Sequence, residues 1–144
     1  LNTKSLKITK CSSVYETPSY PDNFLPKFLN IVIEIKYNLK PENLLSLIEE
    51  IENKMERVRV KKNDPRTCDI DIIDFNKYIV LNEKIKLPHP RSHDRNFVLF
   101  PLREISPNWF HPKNNKKIDY FINKLTQKRR NEITRLKDRV IFNT

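Results

Sequence analysis

Apolar and polar positions alternate most cleanly over residues 28–37, where Ile31, Ile33, Ile35 and Tyr37 are interleaved with Asn30, Val32, Glu34 and Lys36. A period of two places successive side chains on opposite faces and predicts a strand. Residues 5–16 read as another strand, with Leu6, Ile8 and Val14 on one parity and Cys11 and Tyr15 on the other. The period then changes. From Pro41, a residue tolerated in the first helical turn, Leu44, Ile48, Ile51 and Met55 recur at helical spacing and predict an amphipathic helix. Residues 65–75 predict a third strand, in which Ile70 and Ile72 alternate with Asp69 and Asp71 and Asp74 marks the end. Asn76-Lys77 predicts a turn, after which residues 78–81 return. The apolar run from Phe97 to Leu102 predicts buried packing or a short helix, and Trp109 is expected to cap the core. Ile118, Phe121, Ile122 and Leu125 predict a last amphipathic helix. Beyond Lys128 the pattern is polar and weak. The expected organisation is one domain over residues 1–127 and a basic extension over residues 128–144.

Composition changes this picture in three places. Glycine is absent, so tight turns must rest on Asn, Asp and Pro. Cys11 and Cys68 are isolated, with no C-x-x-C, which fits free thiols in a reducing cytoplasm and argues against zinc. No run approaches the roughly 18 apolar residues of a membrane span, and no signal-peptide pattern opens the chain. The net charge of +10 is uneven, because residues 113–139 hold ten Lys/Arg against three acids. A basic tail of this kind suits nucleic acid. No nucleic-acid motif accompanies it, so a solvated face is the expectation.

The candidate chemistry centres on Pro65-Arg66-Thr67-Cys68-Asp69-Ile70-Asp71-Ile72. Carboxylates at i and i+2 of a strand share a face, with Cα atoms roughly 6.5–7 Å apart. Such a pair suits two magnesium ions held with substrate phosphates, and Arg66 adds a fork for a phosphate oxygen. On its own, an Asp-x-Asp is more often the wet face of an amphipathic strand. Its neighbours raise its specificity. Residues 57–64 form a basic loop suited to closing over a triphosphate. His89, framed by Pro88 and Pro90, and Arg95 flank a short segment as further phosphate contacts. Glu49 and Glu52 lie one helical turn apart as candidates facing a nucleotide. Residues 17–27 hold three prolines and two aromatics, which suits a binding lid.

Taken in order, Ser12-Ser13-Val14-Tyr15-Glu16-Thr17-Pro18, Phe28-Leu29-Asn30, Arg57-Val58-Arg59, Pro65-Arg66-Thr67-Cys68-Asp69-Ile70-Asp71-Ile72, Leu87-Pro88-His89-Pro90 and Arg95-Asn96-Phe97-Val98-Leu99 resemble the hydroxymethyldihydropterin pyrophosphokinases of folate biosynthesis. The likeness runs from about residue 6 to about residue 125. It implies a ferredoxin-like α/β (α+β) sandwich. It also implies transfer of pyrophosphate from ATP to 6-hydroxymethyl-7,8-dihydropterin, with AMP released. By matching position, Asp69 and Asp71 would bind two Mg2+ ions, and Arg59 and Arg66 would join them as catalytic residues. Arg57, Arg59, Arg66, His89, Arg95, Glu49 and Glu52 would contact ATP. Phe28 and Phe97 would stack on the pterin, while Thr17, Pro18 and Asn30 would read its polar edge. Partners would be these small molecules alone, with no nucleic acid and no membrane, and a monomer in the cytoplasm is expected. The chain departs from the family at Asn63-Asp64, where many members have Trp-Gly, and at Asn96, where glycine is usual. It also lacks the family's opening strand and Gly-Ser-Asn turn, which makes a fragment of the enzyme, or an inactive remnant, the alternative expectation. A basic ferredoxin-like module binding nucleic acid is the more distant one.

Overall fold

The computed structural model describes residues 5–19, 27–57 and 68–137, with Arg57 described in its backbone alone. Strands β1 (Leu6–Cys11), β2 (Tyr15–Thr17), β3 (Phe28–Asn30) and β4 (Ile33–Tyr37) precede helix α1 (Pro41–Arg57). A small pair, β5 (Val80–Leu81) and β6 (Lys86–Leu87), then leads to α2 (Asn96–Ile105), α3 (Ile118–Lys124), α4 (Gln127–Asn131) and β7 (Thr134–Arg135). Among the described residues all strand pairings are antiparallel: β1 with β4, β2 between β3 and β7, and β5 with β6. The class is α+β, as a ferredoxin-like sandwich requires.

The two strands predicted over residues 5–16 and 28–37 each break in two, and the breaks face each other. Cys11 pairs with Ile33 and Tyr15 with Asn30, so three residues on one side oppose two on the other. The single extra residue lies on the β1–β2 side, and such a bulge bends the ladder. The Ser12 Oγ accepts the Val32 N–H at 2.9 Å, and the Val32 carbonyl accepts the Ser12 N–H at 2.9 Å. The bend reverses the parity expected for this stretch. Val32 turns into the core, while Ile31 is left exposed.

Glu104 of α2 holds the far side of that bend. Its Oε2 accepts the Ser13 N–H at 2.9 Å and the Ser13 Oγ–H at 3.1 Å, and its Oε1 accepts the Tyr15 hydroxyl at 2.8 Å. Arg135 of β7 reaches the same place, donating to Ser13 Oγ at 3.1 Å and lying 3.5 Å from Glu104. Burial alone would raise the Glu104 carboxyl. The hydrogen bonds from Tyr15 and Ser13, with the Arg135 charge, outweigh it and hold the group below the usual carboxylate range. The Tyr15 phenol is pushed up to about 12 by burial and by its bond to Glu104.

Two hydrophobic cores result. One gathers Leu6, Leu44, Ile48, Phe75, Ile85 and Leu87 beneath α1. The other gathers Val32, Leu99, Leu102, Trp109, Ile118, Phe121 and Ile122 around α2 and α3. Full burial of each such side chain is worth roughly 1.5–3 kcal/mol. Trp109 is buried, as expected. Residues 127–135 also return to the body, through β7 and through Asn96, whose Nδ2 donates to the Arg129 carbonyl and to Glu132.

The segment predicted as a strand over residues 65–75 is the main correction. Residues 65–67 lie outside the described part, and residues 68–74 are not hydrogen-bonded into a ladder. Strand order needs a neighbouring backbone, and here the Ile70 N–H goes to a side chain, Glu52 Oε2, at 2.9 Å. The Ile73 carbonyl instead accepts the His89 N–H at 2.9 Å. The side chains still alternate. Ile70 and Ile72 pack into the α1 core, and Asp69 and Asp71 are exposed.

The segment ends in the turn expected at Asn76-Lys77. Both residues have positive φ, 51° and 62°, and the Tyr78 N–H closes on the Phe75 carbonyl at 2.9 Å. Without glycine, a left-handed lysine needs support. Asp74 supplies it by accepting the Lys77 N–H at 2.9 Å and pairing with the Lys77 ammonium at 3.0 Å. The same carboxylate accepts the indole N–H of Trp109 at 2.8 Å. Asp74 therefore ties the turn to the α2–α3 core, a role its place at the end of an acidic run did not reveal. Asp74→Ala strands a buried indole donor and is expected to cost about 1–3 kcal/mol in urea unfolding. Asp74→Asn, which keeps an acceptor, should lose less; equal losses would contradict this account.

Candidate active site

The candidate residues that can be placed lie along one arc of the surface. At one end, α1 presents Glu49, Glu52 and Glu56, which line a cleft of about 270 Å3 with Asn53 and Cys68. Glu49 and Glu52 thus share a cavity with the start of the acidic segment. Glu52 also fixes that segment, through its bond to the Ile70 N–H. The Cys68 thiol is pushed up by burial and by the Glu52 and Asp69 carboxylates, so it stays protonated.

Asp69 and Asp71 stand on the exposed side of a segment whose other side is sunk in the core. The arrangement fits magnesium, which takes hard oxygen donors and is usually held by one or two carboxylates together with substrate phosphates. Among the described residues no group of three or more His, Cys, Asp or Glu side chains could hold a metal ion.

His89 follows the cis Leu87–Pro88 peptide. Its backbone is tied to Ile73. Its Nδ1 accepts the Arg91 N–H at 3.1 Å, so the neutral ring carries its proton on Nε2. Burial lowers its pKa; the nearby Asp71 carboxylate opposes this, and Arg95 and Arg91 reinforce it. At neutral pH the ring is therefore an uncharged Nε2–H donor, with the Asp71 carboxylate and the Arg95 guanidinium close enough to act on its charge. Arg95 lies at the N-terminus of α2, its guanidinium carbon 5.5 Å from the centre of the Phe97 ring.

At the other end of the arc, β2 and β3 carry Thr17 opposite Phe28 and Tyr15 opposite Asn30. Thr17 is buried, Pro18 and Asn30 are half-buried, and Phe28 is 56% exposed, an unusual state for a phenylalanine in a strand. Helix α2, which carries Phe97, lies against both strands. The fold thus gathers Thr17, Pro18, Phe28 and Asn30 on one strand pair and brings the Phe97 helix onto it. Arg59 and Arg66, the side chain of Arg57, and most of the proposed lid and basic loop lie outside the described residues. The alternation and spacing of the sequence picked out the acids, and the family resemblance picked out Phe28 and Phe97. They did not pick out Glu52 as an anchor, nor Glu104, which lies beyond the recognisable motifs. The one available hint for Glu104 was its position seven residues after Phe97, on the same helical face.

Comparison with known proteins bears on the family of the chain. A sequence model of the family described as 7,8-dihydro-6-hydroxymethylpterin-pyrophosphokinase (HPPK) matches residues 1–107. The chain is 44% identical over 101 residues to a 2-amino-4-hydroxy-6-hydroxymethyldihydropteridine pyrophosphokinase of Bacillus subtilis, a match covering 70% of this chain and 60% of that protein. It is 36% identical over 116 residues to a protein of the same name from Aquifex aeolicus, covering 81% of this chain and 72% of the relative. It is also 39% identical over 109 residues to the folic acid synthesis protein FOL1 of Dictyostelium discoideum, covering 76% of this chain but 17% of that larger protein. The chain thus spans about three fifths of the Bacillus relative, and with that extent of match it belongs to the 7,8-dihydro-6-hydroxymethylpterin-pyrophosphokinase family.

Proposed function

We propose that this chain carries the pyrophosphokinase reaction of its family, moving the β,γ-pyrophosphate of ATP onto the hydroxymethyl oxygen of 6-hydroxymethyl-7,8-dihydropterin. The hydroxymethyl oxygen bonds to the β-phosphorus, the bond from that phosphorus to the α,β-bridging oxygen breaks, and AMP leaves. The observation that carries the reading is the grouping of Asp71 and Arg95 about His89, with the Phe97 ring beside Arg95. It brings together an acid, two candidate phosphate donors and an aromatic ring.

Asp69 and Asp71 would hold two Mg2+ ions, which when bound would supply neutralisation of phosphate charge. The chain's own residues do the remaining work by position. His89 donates from Nε2 to a phosphate oxygen, and Arg95 adds charge beside it. Arg57, Arg59 and Arg66 would add positive charge for the triphosphate. Glu49 and Glu52 face the nucleotide across the α1 cleft. Phe28 and Phe97 stack on the flat pterin, while Thr17, Pro18 and Asn30 meet its polar edge. Rigid placement is the main contribution of such a site, because phosphoryl transfer asks little covalent chemistry of the protein. Among the described residues no helix is long and apolar enough to cross a membrane. A monomer in the cytoplasm, acting on small molecules, completes the proposal.

The direct test is AMP formation from ATP with and without 6-hydroxymethyl-7,8-dihydropterin on this chain. Pterin-dependent AMP that vanishes with excess chelator and returns with magnesium is expected. AMP release indifferent to pterin would sink the reaction assignment. Asp71→Ala should lower kcat by about a hundredfold or more while leaving the circular dichroism spectrum unchanged. Phe97→Ala should weaken pterin binding about tenfold, from lost stacking, and ATP binding much less. Equal losses for both ligands would remove Phe97 from the pterin wall.

A further inference from the structure

The two walls of the proposed pterin site come from different elements. One is the β2–β3 pair with Thr17, Phe28 and Asn30, and the other is α2 with Phe97. A ring held between them needs a set spacing, so whatever fastens α2 to β2 decides that spacing. Phe97 and Glu104 are seven residues apart on α2, two turns along one face. Tyr15 and Thr17 are two residues apart on β2, on one side of the strand.

Glu104 makes three hydrogen bonds to β2 and the residues leading into it: from Ser13 N–H, Ser13 Oγ–H and the Tyr15 hydroxyl, all within 3.1 Å. Charge-assisted bonds of this kind are short and strong. Both partners are buried, Ser13 at 3% and Tyr15 at 6% exposure, so water cannot readily replace a lost bond. Arg135 closes the group from β7, the other neighbour of β2.

We propose that Glu104 is a positioning residue for the pterin: its carboxylate fixes the distance between the Phe97 helix and the strand pair bearing Thr17, Phe28 and Asn30. It touches neither substrate itself. Most of the nucleotide end of the site hangs on other fastenings, namely Glu52 to Ile70 and His89 to Ile73, and only Arg95 shares α2 with Glu104, so the effect of Glu104 falls more on the pterin than on ATP. This inference rests on the pterin reading given above.

The experiment measures equilibrium pterin binding by fluorescence, and KM for each substrate, in the wild type, Glu104→Gln and Tyr15→Phe. Glu104→Gln keeps the side-chain shape but replaces an acceptor oxygen with a donor. It is expected to raise the pterin Kd and KM on the order of tenfold, with a much smaller change in KM for ATP. Tyr15→Phe removes a single bond, is the safer variant to fold, and should show a smaller rise, again mainly for pterin. A merely structural role would lower the melting temperature with both KM values unmoved or moved equally, and that result would overturn the proposal. If Glu104→Gln does not fold, Tyr15→Phe decides alone, and an unchanged pterin Kd in it counts against the proposal. Wild-type protein that neither binds pterin nor releases AMP would bring down the functional reading and this inference with it. Wild-type binding with undisturbed variants would bring down the inference alone.

Discussion

The constraint on which this structure depends is the pinning of residues 69–74 between two cores without the help of a ladder. Ile70 and Ile72 enter the α1 core, and Ile73 packs against the α2–α3 core. Asp74 then reaches Trp109 in that second core. Hydrophobic burial on both sides, one carboxylate cap from Glu52 and one backbone bond to His89 replace the usual neighbour strands. Because the apolar residues cannot leave the cores cheaply, Asp69 and Asp71 have only the solvent side available. Two acids are thereby presented from a fixed backbone, which a site for metal and phosphate needs.

The same segment explains how the two halves of the arc meet. It touches α1 through Glu52 and the start of the next segment through His89. From His89 the sequence runs within a few residues to Arg95 and Phe97, so the proposed phosphate contacts and one proposed aromatic wall sit close together along the chain. The opposite proposed wall is reached only through space, by α2 lying on β2 and β3. Charged side chains do much of this joining. Glu52, Asp74 and Glu104 each accept backbone or ring N–H groups that a regular element would otherwise have satisfied. In a chain with no glycine, such side-chain caps hold bends and left-handed turns that glycine would make at lower cost.

Much was legible from local pattern alone. Helical spacing from Pro41, the Asn76-Lys77 turn, the helix beginning at Ile118 and the buried Trp109 all followed from periodicity and turn chemistry. The alternation of Asp69 and Asp71 with Ile70 and Ile72 identified which side chains would face out, since a period of two survives whether or not a ladder forms. The motif order that marks the family was equally a property of the chain.

What the tertiary structure decided are the features that require two distant segments to be compared. Neither strand over residues 5–16 and 28–37 contains a local break signal strong enough to place its bulge. The bend exists because Ser12 and Val32 bond to each other across twenty residues. The segment over residues 68–74 has the composition of a strand, yet ladder order depends on a neighbour that no local pattern can supply. Glu104 read as one more polar residue at the end of an apolar helix, and its meaning came from Ser13 and Tyr15 some ninety residues earlier. Side-chain periodicity is a local consequence of backbone geometry and is written in sequence. Hydrogen-bond partners across the fold are set by which surfaces burial brings together, and they become visible only once the chain is folded.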